Sequence, residues 1–392
     1  MRPLEGLLVV TLEHAIAAPF CTRQLADLGA RVIKVERPGE GDFARAYDTR
    51  AHGLASHFVW CNRSKESLTL DLKQPAARAV LHKLVERCDV LVQNLAPGAA
   101  ARMGMDHASL APVNAGIVVC DISGYGEGGP YTEKKAYDLL IQSEAGFVSV
   151  TGTPEQPSKA GLSIADIAAG MYAYSSVLAA LLQRGRTGRG QRLEISMLEA
   201  MSEWMGFPLY YTMDGQPPPP RAGASHAAIY PYGPFTCGDG KQVVLAVQHD
   251  REWAIFCEKV LLQPELAKAY LGNANRLAQR EQLRAVIESV CLTLTAEQLV
   301  ERLDGAQIAN AQLNEMAALW RHPQLAARGR WTDIGSPCGP LPALYPPHHL
   351  GGSEEPPPMG PVPALGEHTE SILAELGYGA PEIARLRAEQ AI

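Results

Sequence analysis

No two cysteines of this chain stand as a C-x-x-C pair; the eight are scattered at positions 21, 61, 88, 120, 237, 257, 291 and 338. Such spacing excludes a zinc ribbon and a dense disulfide frame, and it suits reduced thiols in a cytoplasmic protein. A long run of Lys or Arg is also missing, and the formal net charge is -7, so nucleic acid is excluded as the main partner. No apolar stretch reaches the roughly 18–20 residues needed to span a bilayer, which excludes a membrane partner. The opening MRPLEGLLVVTLEHA lacks the charged, apolar and small-residue zones of a secretory signal and reads as a strand entering a domain.

What remains is ordinary globular composition, 46% hydrophobic and 20% charged, over 392 residues. That length exceeds what one growing core accommodates, so two domains are expected. Residues 7–12 (LLVVTL) form a short apolar run, 19–28 have helical spacing closed by Gly29, and 31–36 (RVIKVE) read as the next strand. This βαβ opening favours a parallel sheet with right-handed crossovers. The grammar recurs with strands at 68–72, 89–94 and 116–123 and helices at 76–86 and near 98–104. A glycine-rich loop at 124–130 leads to a helical stretch near 135–147. A long helix covers 164–183, followed by a strand at 191–198 and a helix around 197–213.

Four prolines, Pro217 to Pro220, cannot join a sheet interior and mark a crossing between domains. Beyond them 229–235 and 242–248 flank Gly238-Asp239-Gly240 as a β-hairpin, helices follow to about 328, and 335–363 is a proline-rich extended return. The expected organisation is α/β: a large domain over 1–216, a small α+β domain over 222–330, and a C-terminal return over 331–392 completing the first.

Glu36 ends the second strand where a dinucleotide fold places its ribose-binding acid. Yet the loop Glu13-His14-Ala15-Ile16-Ala17-Ala18-Pro19 holds no glycine with which a backbone could approach a pyrophosphate. No nucleotide redox cofactor is expected, and no metal. Asp166 lies in the first turn of the long helix among Ile164, Ala165, Ile167, Ala168 and Ala169, with Gly170 close by. It reads either as an acid stabilised by the helix dipole or as a nucleophile in a poorly hydrated site that other groups approach closely. Lys134-Lys135 beside Tyr137, Arg37 at the end of a strand, and Asn94 with Arg102 at another strand end together outline an anionic ligand site.

Seven segments in this order resemble the class III coenzyme A transferase family, which includes formyl-CoA transferase, carnitine CoA-transferase and alpha-methylacyl-CoA racemase. They are 17–42 (AAPFCTRQLADLGARVIKVERPGEGD), 62–73 (NRSKESLTLDLK), 89–104 (DVLVQNLAPGAAARMG), 122–131 (ISGYGEGGPY), 165–173 (ADIAAGMYA), 186–200 (RTGRGQRLEISMLEA) and 365–378 (LGEHTESILAELGY). The resemblance implies a Rossmann-like large domain, a smaller α+β domain, and a homodimer whose two subunits interlock as rings. It implies coenzyme A and acyl-CoA as substrates and Asp166 as the nucleophile. Coenzyme contacts fall on Arg37, Lys73, Asn94, Arg102 and Lys135, and a pocket tyrosine falls on Tyr137.

Two departures from the family pattern bear on substrate. The glycine run that covers the nucleophile in formyl-CoA transferase is replaced here by Gly223-Ala-Ser-His-Ala-Ala-Ile-Tyr230, which offers Ser225 and His226. The histidine that precedes an aspartate in the racemase branch is Tyr137, whose ordinary pKa near 10 suits proton abstraction poorly. The flavour is that of enzymes using succinyl-CoA and C4–C5 diacids such as itaconate, mesaconate or citramalate. His14, Arg50, His52, Arg63 and His226 are candidates for the second carboxylate, while Ile16 sets an apolar limit. Epimerisation at the α-carbon and non-catalytic CoA binding stand as the alternatives.

Overall fold

A computed structural model describes residues 2–348 and 356–392. Residues 349–355, the middle of the proline-rich return, lie outside the described residues.

The chain divides into two compact units. The first holds the chain up to Ala145, Gly161–Met205, and the described residues from Arg328 onward; the second holds Gly146–Ala160 and Gly206–Ala327. The chain thus leaves the first unit at Ala145, returns at Gly161, and leaves again at Met205, ahead of the proline run where the crossing was expected.

In the first unit six strands, β1 (Leu8–Leu12), β2 (Arg31–Glu36), β3 (Lys65–Thr69), β4 (Val90–Gln93), β5 (Val118–Ser123) and β6 (Arg192–Ser196), form one parallel sheet. Their order is β3-β2-β1-β4-β5-β6, the doubly wound arrangement that reverses between β1 and β4. The apolar positions of these strands bury Val10, Leu12, Ile33, Val35, Leu91 and Val119 in one core, which Ile372, Leu373 and Leu386 from the chain end share. Strand β3 begins at Lys65, three residues before the apolar run at 68–72, and a helix at Ser56–Asn62 has no counterpart in the sequence reading.

The helix Ile164–Thr187 corrects one expectation. It has 24 residues and is long and apolar enough to cross a bilayer by length and composition. Its apolar face has another use, because Ala165, Ala168, Ala169, Ala173 and Val177 are buried within the unit. Gly170 makes that packing close: a Cβ there would lie 2.7 Å from the carbonyl oxygen of Ala17 and 3.1 Å from the Phe20 ring, both of the helix Ala17–Asp27.

The second unit contains β7 (Tyr232–Thr236), β8 (Gln242–Ala246) and β9 (Ala309–Gln312), an antiparallel sheet in the order β7-β8-β9. The first two are the hairpin expected around Gly238-Asp239-Gly240. The third was read as helical, because Ala-Asn-Ala-Gln carries no β-branched residue; its pairing with β8 supplies what local preference does not. Trp253, Phe256, Leu283, Ile287 and Leu299 fill the core against this sheet. In the C-terminal return, Trp331–Ile334 and Leu341–Leu344 pair as a short antiparallel hairpin of the first unit.

Candidate active site

Ligands of open α/β sheets bind outside the carboxyl ends of the strands where the order reverses. Here that point lies between the loops that follow β1 and β4, and Asn94 joins the two. The His14 N–H donates to Asn94 Oδ1 at 2.9 Å, and Asn94 Nδ2 donates to the His14 carbonyl at 2.9 Å. Asn94 therefore clamps the two loops, a structural duty beyond the coenzyme contact implied by resemblance. Ala15 next to it takes a left-handed backbone (φ 61°), a conformation costing about 1 kcal/mol in a non-glycine residue. Its N–H donates to Asp42 Oδ1 at 3.1 Å, which holds that conformation in place. Ile16 is only 3% exposed and turns into the packing, so within the chain it offers little surface to a ligand.

A buried charge network lies beneath this loop, and the sequence reading missed it. Glu13 Oε1 meets Lys65 Nζ at 2.7 Å and Lys34 Nζ at 3.3 Å, while its Oε2 accepts from the hydroxyls of Thr11 and Thr22, both at 2.7 Å. Lys34 Nζ reaches Asp42 Oδ2 at 2.8 Å, and the side chains of all four ionised residues have no solvent exposure. Burial alone would push the Glu13 carboxyl up, but Lys65 and Lys34 outweigh it and bring it down to about 2. Above the network His14 stacks on Phe43 (5.5 Å between ring centres), Phe43 leans on Tyr47 (5.8 Å), and Tyr47 meets the His57 edge (5.5 Å).

Asp166 stands in the first turn of the helix Ile164–Thr187, half-buried. Ser163, the residue before that helix, makes no capping bond with its side chain. The helix N-terminus is instead served by Asp138 from the helix Asp138–Glu144. Asp138 Oδ1 accepts from the N–H of Ala165 at 2.8 Å and, more weakly, from that of Asp166 at 3.5 Å, and Oδ2 accepts from Gln142 Nε2 at 2.6 Å. Two carboxyl groups thus share one helix start. Burial first, and then the like charge of Asp138, push the Asp166 carboxyl up from its ordinary value to about 7. No hydrogen bond from a described residue counteracts this. The Tyr47 hydroxyl belongs to the same neighbourhood: burial pushes it up to about 12, with further contributions from the charges of Asp42, Asp166 and Tyr137.

Asp166, Asp138, Tyr137 and Tyr47 are therefore brought together, and neither Asp138 nor Tyr47 was foreseen as a site residue. An acid immediately after Tyr137, at a helix start, is the only local sign of the first. Tyr137 itself is 66% exposed. Lys73, Arg102 and Lys135 are exposed and make no ion pair among the described residues, so each is available to an anion. Arg37 is not: its Nη1 pairs with Glu40 at 2.8 Å, and a ligand would have to displace that partner. His52 is an exposed turn residue with a left-handed backbone (φ 52°). Ser225 and His226 belong to the second unit. His226 stacks on Tyr232 at 5.3 Å and its Nδ1 accepts from the Ala228 N–H at 3.0 Å, so the neutral ring carries its proton on Nε2. Among the described residues, no group of three or more His, Cys, Asp or Glu side chains is arranged to hold a metal.

An unpaired carboxyl with a raised pKa, on a helix start flanked by small residues, can act as a nucleophile. Comparison with known proteins points the same way. The sequence pattern described as CoA-transferase family III matches residues 4–369. The chain is 34% identical to a succinate–glutarate CoA-transferase of Agrobacterium fabrum, over 95% of this chain and 96% of the relative. It is 33% identical to a succinyl-CoA:mesaconate CoA-transferase of Haloarcula hispanica, over 97% and 98% respectively. Among solved structures, a CAIB/BAIF family protein from Brucella suis superposes with a TM-score of 0.83 at 33% identity, covering 96% of this chain and 99% of that one.

Proposed function

This chain belongs to CoA-transferase family III, and we propose that it moves coenzyme A from succinyl-CoA to a short dicarboxylic acid with Asp166 as the covalent carrier. The observation that carries the reading is the Asp166 carboxyl itself, half-buried, unpaired and titrating near neutrality beside Asp138. An ionised carboxylate deprived of hydrogen bonds is a stronger nucleophile than one in water.

In the proposed cycle an Asp166 oxygen attacks the thioester carbonyl, the carbon–sulfur bond breaks, and the thiolate leaves a mixed anhydride behind. The thiolate attacks the aspartyl carbonyl of that anhydride, expelling the donor acid and leaving an aspartyl–CoA thioester. The acceptor carboxylate then attacks this thioester, and the released thiolate takes the acyl group from the new anhydride, restoring Asp166. The cycle begins and ends with a CoA thioester and a free acid, so it is balanced without ATP. Lys73, Arg102 and Lys135 are assigned to the coenzyme phosphates, with Arg37 joining once Glu40 is displaced. Tyr137 is assigned to the wall of the pantetheine path. The diacid assignment, to the itaconate, mesaconate and citramalate type, draws on the glutarate and mesaconate enzymes among the relatives. Mass spectrometry of protein mixed with succinyl-CoA tests the reading: the peptide bearing Asp166 should gain the mass of CoA and lose it when mesaconate or itaconate is added. Turnover with the label on any other peptide would dispose of it.

We assign the working form to an interlocked homodimer. Phe207, Leu209, Tyr210 and Met213 cluster within seven residues and are each more than half exposed in the single chain, more apolar surface than a lone subunit normally leaves to water. Light scattering should return twice the chain mass at micromolar concentration, and the mass of one chain would refute the assignment.

A further inference from the structure

The second unit has a cleft of about 580 Å³ whose walls come from the Pro218–Pro220 strap, Arg221, Ser225, and the start of the helix Arg280–Cys291. Three arginines and one glutamate, Glu281, carry the charge of its lining. Arg221 donates to three backbone carbonyls, those of Thr153 (2.9 Å), Ser149 (3.2 Å) and Pro154 (2.7 Å). Those partners are neutral, its charge reaches the exposed Glu155, and two of its five N–H donors remain unused by these bonds. Among the described residues Arg280 makes its ion pair with Glu281, at 3.9 Å and with that side chain 85% exposed. Arg284, one turn later on the same helix face, is paired with Glu288 at 2.7 Å.

An independent feature sits beside these arginines. Tyr230 is 2% exposed, and its hydroxyl has no hydrogen-bond partner among the described residues. The guanidinium of Arg280 lies over its ring at 5.4 Å, and the charges of Arg284 and Arg280 act on its hydroxyl. A buried hydroxyl without a partner is costly, and natural proteins keep few of them. Two arginines at the start of one helix and a third held by carbonyls of the 149–154 loop line the cleft, and Arg280 lies over the ring of Tyr230, whose hydroxyl is unsatisfied; together they form a setting for an anion.

We infer that this cleft binds a compact oxyanion, a carboxylate or a phosphoryl group, held by Arg280, Arg284 and Arg221. Ser225, placed on the cleft wall, adds a hydroxyl donor. The inference goes beyond the proposed carrier role of Asp166 and stands or falls separately from it.

Calorimetric titration of the whole protein with inorganic phosphate and, separately, with succinate tests it. Arg280→Gln should weaken the anion about tenfold, the effect of removing one charge-assisted contact. Tyr230→Phe should weaken it less while raising the melting temperature of the anion-free protein, because it deletes the unpartnered hydroxyl. Phosphate can also meet cations elsewhere on the chain, so the assignment rests on the loss in these two variants. Selective binding of phosphate would identify a phosphoryl ligand, and selective binding of succinate a carboxylate. Unchanged affinity for both anions in both variants, or no binding of either anion by the parent, would overturn the inference.

Discussion

An Asp166→Asn chain should lose CoA exchange between acids by at least about a thousandfold, and at pH 8 it should melt above the parent protein. The first effect follows from chemistry: an amide of the same shape cannot form the anhydride, and removing a covalent nucleophile costs at least that much. The second follows from linkage. The carboxyl titrates near 7 in the fold against 3.8 in the free residue, so the folded state prefers it protonated. That preference is fully met below about pH 4; the cost builds as pH rises from there and is complete once pH has passed 7. Each pKa unit corresponds to about 1.4 kcal/mol, and partial solvent exposure reduces the sum, so a gain of about 2 kcal/mol at pH 8 is expected. Melting curves at pH 5 and pH 8 check it: the advantage of the variant should shrink on acidification. The same carboxyl must be ionised to attack, so kcat/KM of the parent should fall about tenfold per unit below pH 7. A flat profile from pH 5 to 8, or a variant no more stable at pH 8, would show that burial beside Asp138 does not govern this group.

The parallel sheet was legible because LLVVTL, RVIKVE and GIVVCDIS are apolar runs separated by helical spacing, and such signals are local. Asp166 stood out as a candidate for a related reason: small residues on both sides mark a place that other groups can approach. The residues that shape its chemistry were not. Asp138 acts across 28 positions of sequence, through bonds to backbone N–H groups that carry no side-chain signature. Lys34 and Lys65 look like the solvent-facing positions of half-exposed strands, and only their meeting with Glu13, 21 and 52 residues earlier, turns them inward. The same burial explains why β3 starts at Lys65 rather than at the apolar run that follows. Strand β9 and the site duty of Asn94 likewise depend on partners distant in sequence, which hydrophobic periodicity does not report.

Glu13→Gln is expected to destabilise the protein by about 3–5 kcal/mol, more than truncation of any exposed ion pair on the surface. The network is neutral as it stands, two lysines against Glu13 and Asp42. Removing this carboxylate leaves Lys34 with Asp42 and Lys65 with no acidic partner among the described residues, fully buried, and an unpaired buried ammonium is what makes such losses large. Burial already brings the Lys65 ammonium down to about 8 even with Glu13 present, so without that partner it should become neutral near physiological pH. The test is a cycle in denaturant. If the penalty comes from stranded charge, Glu13→Gln combined with Lys65→Met should recover most of it, since charge balance returns and the methionine fills the lysine stem's volume. If it comes only from lost contacts, the double variant should be worse than either single one. Recovery would also identify what keeps the β1 loop in its strained form. The network positions Asp42, Asp42 holds Ala15 in its left-handed conformation, and Asn94 fastens His14 beside it. With the charges removed as a matched pair, the Lys34–Asp42 bridge survives, and the loop at the point where the sheet reverses should keep its shape.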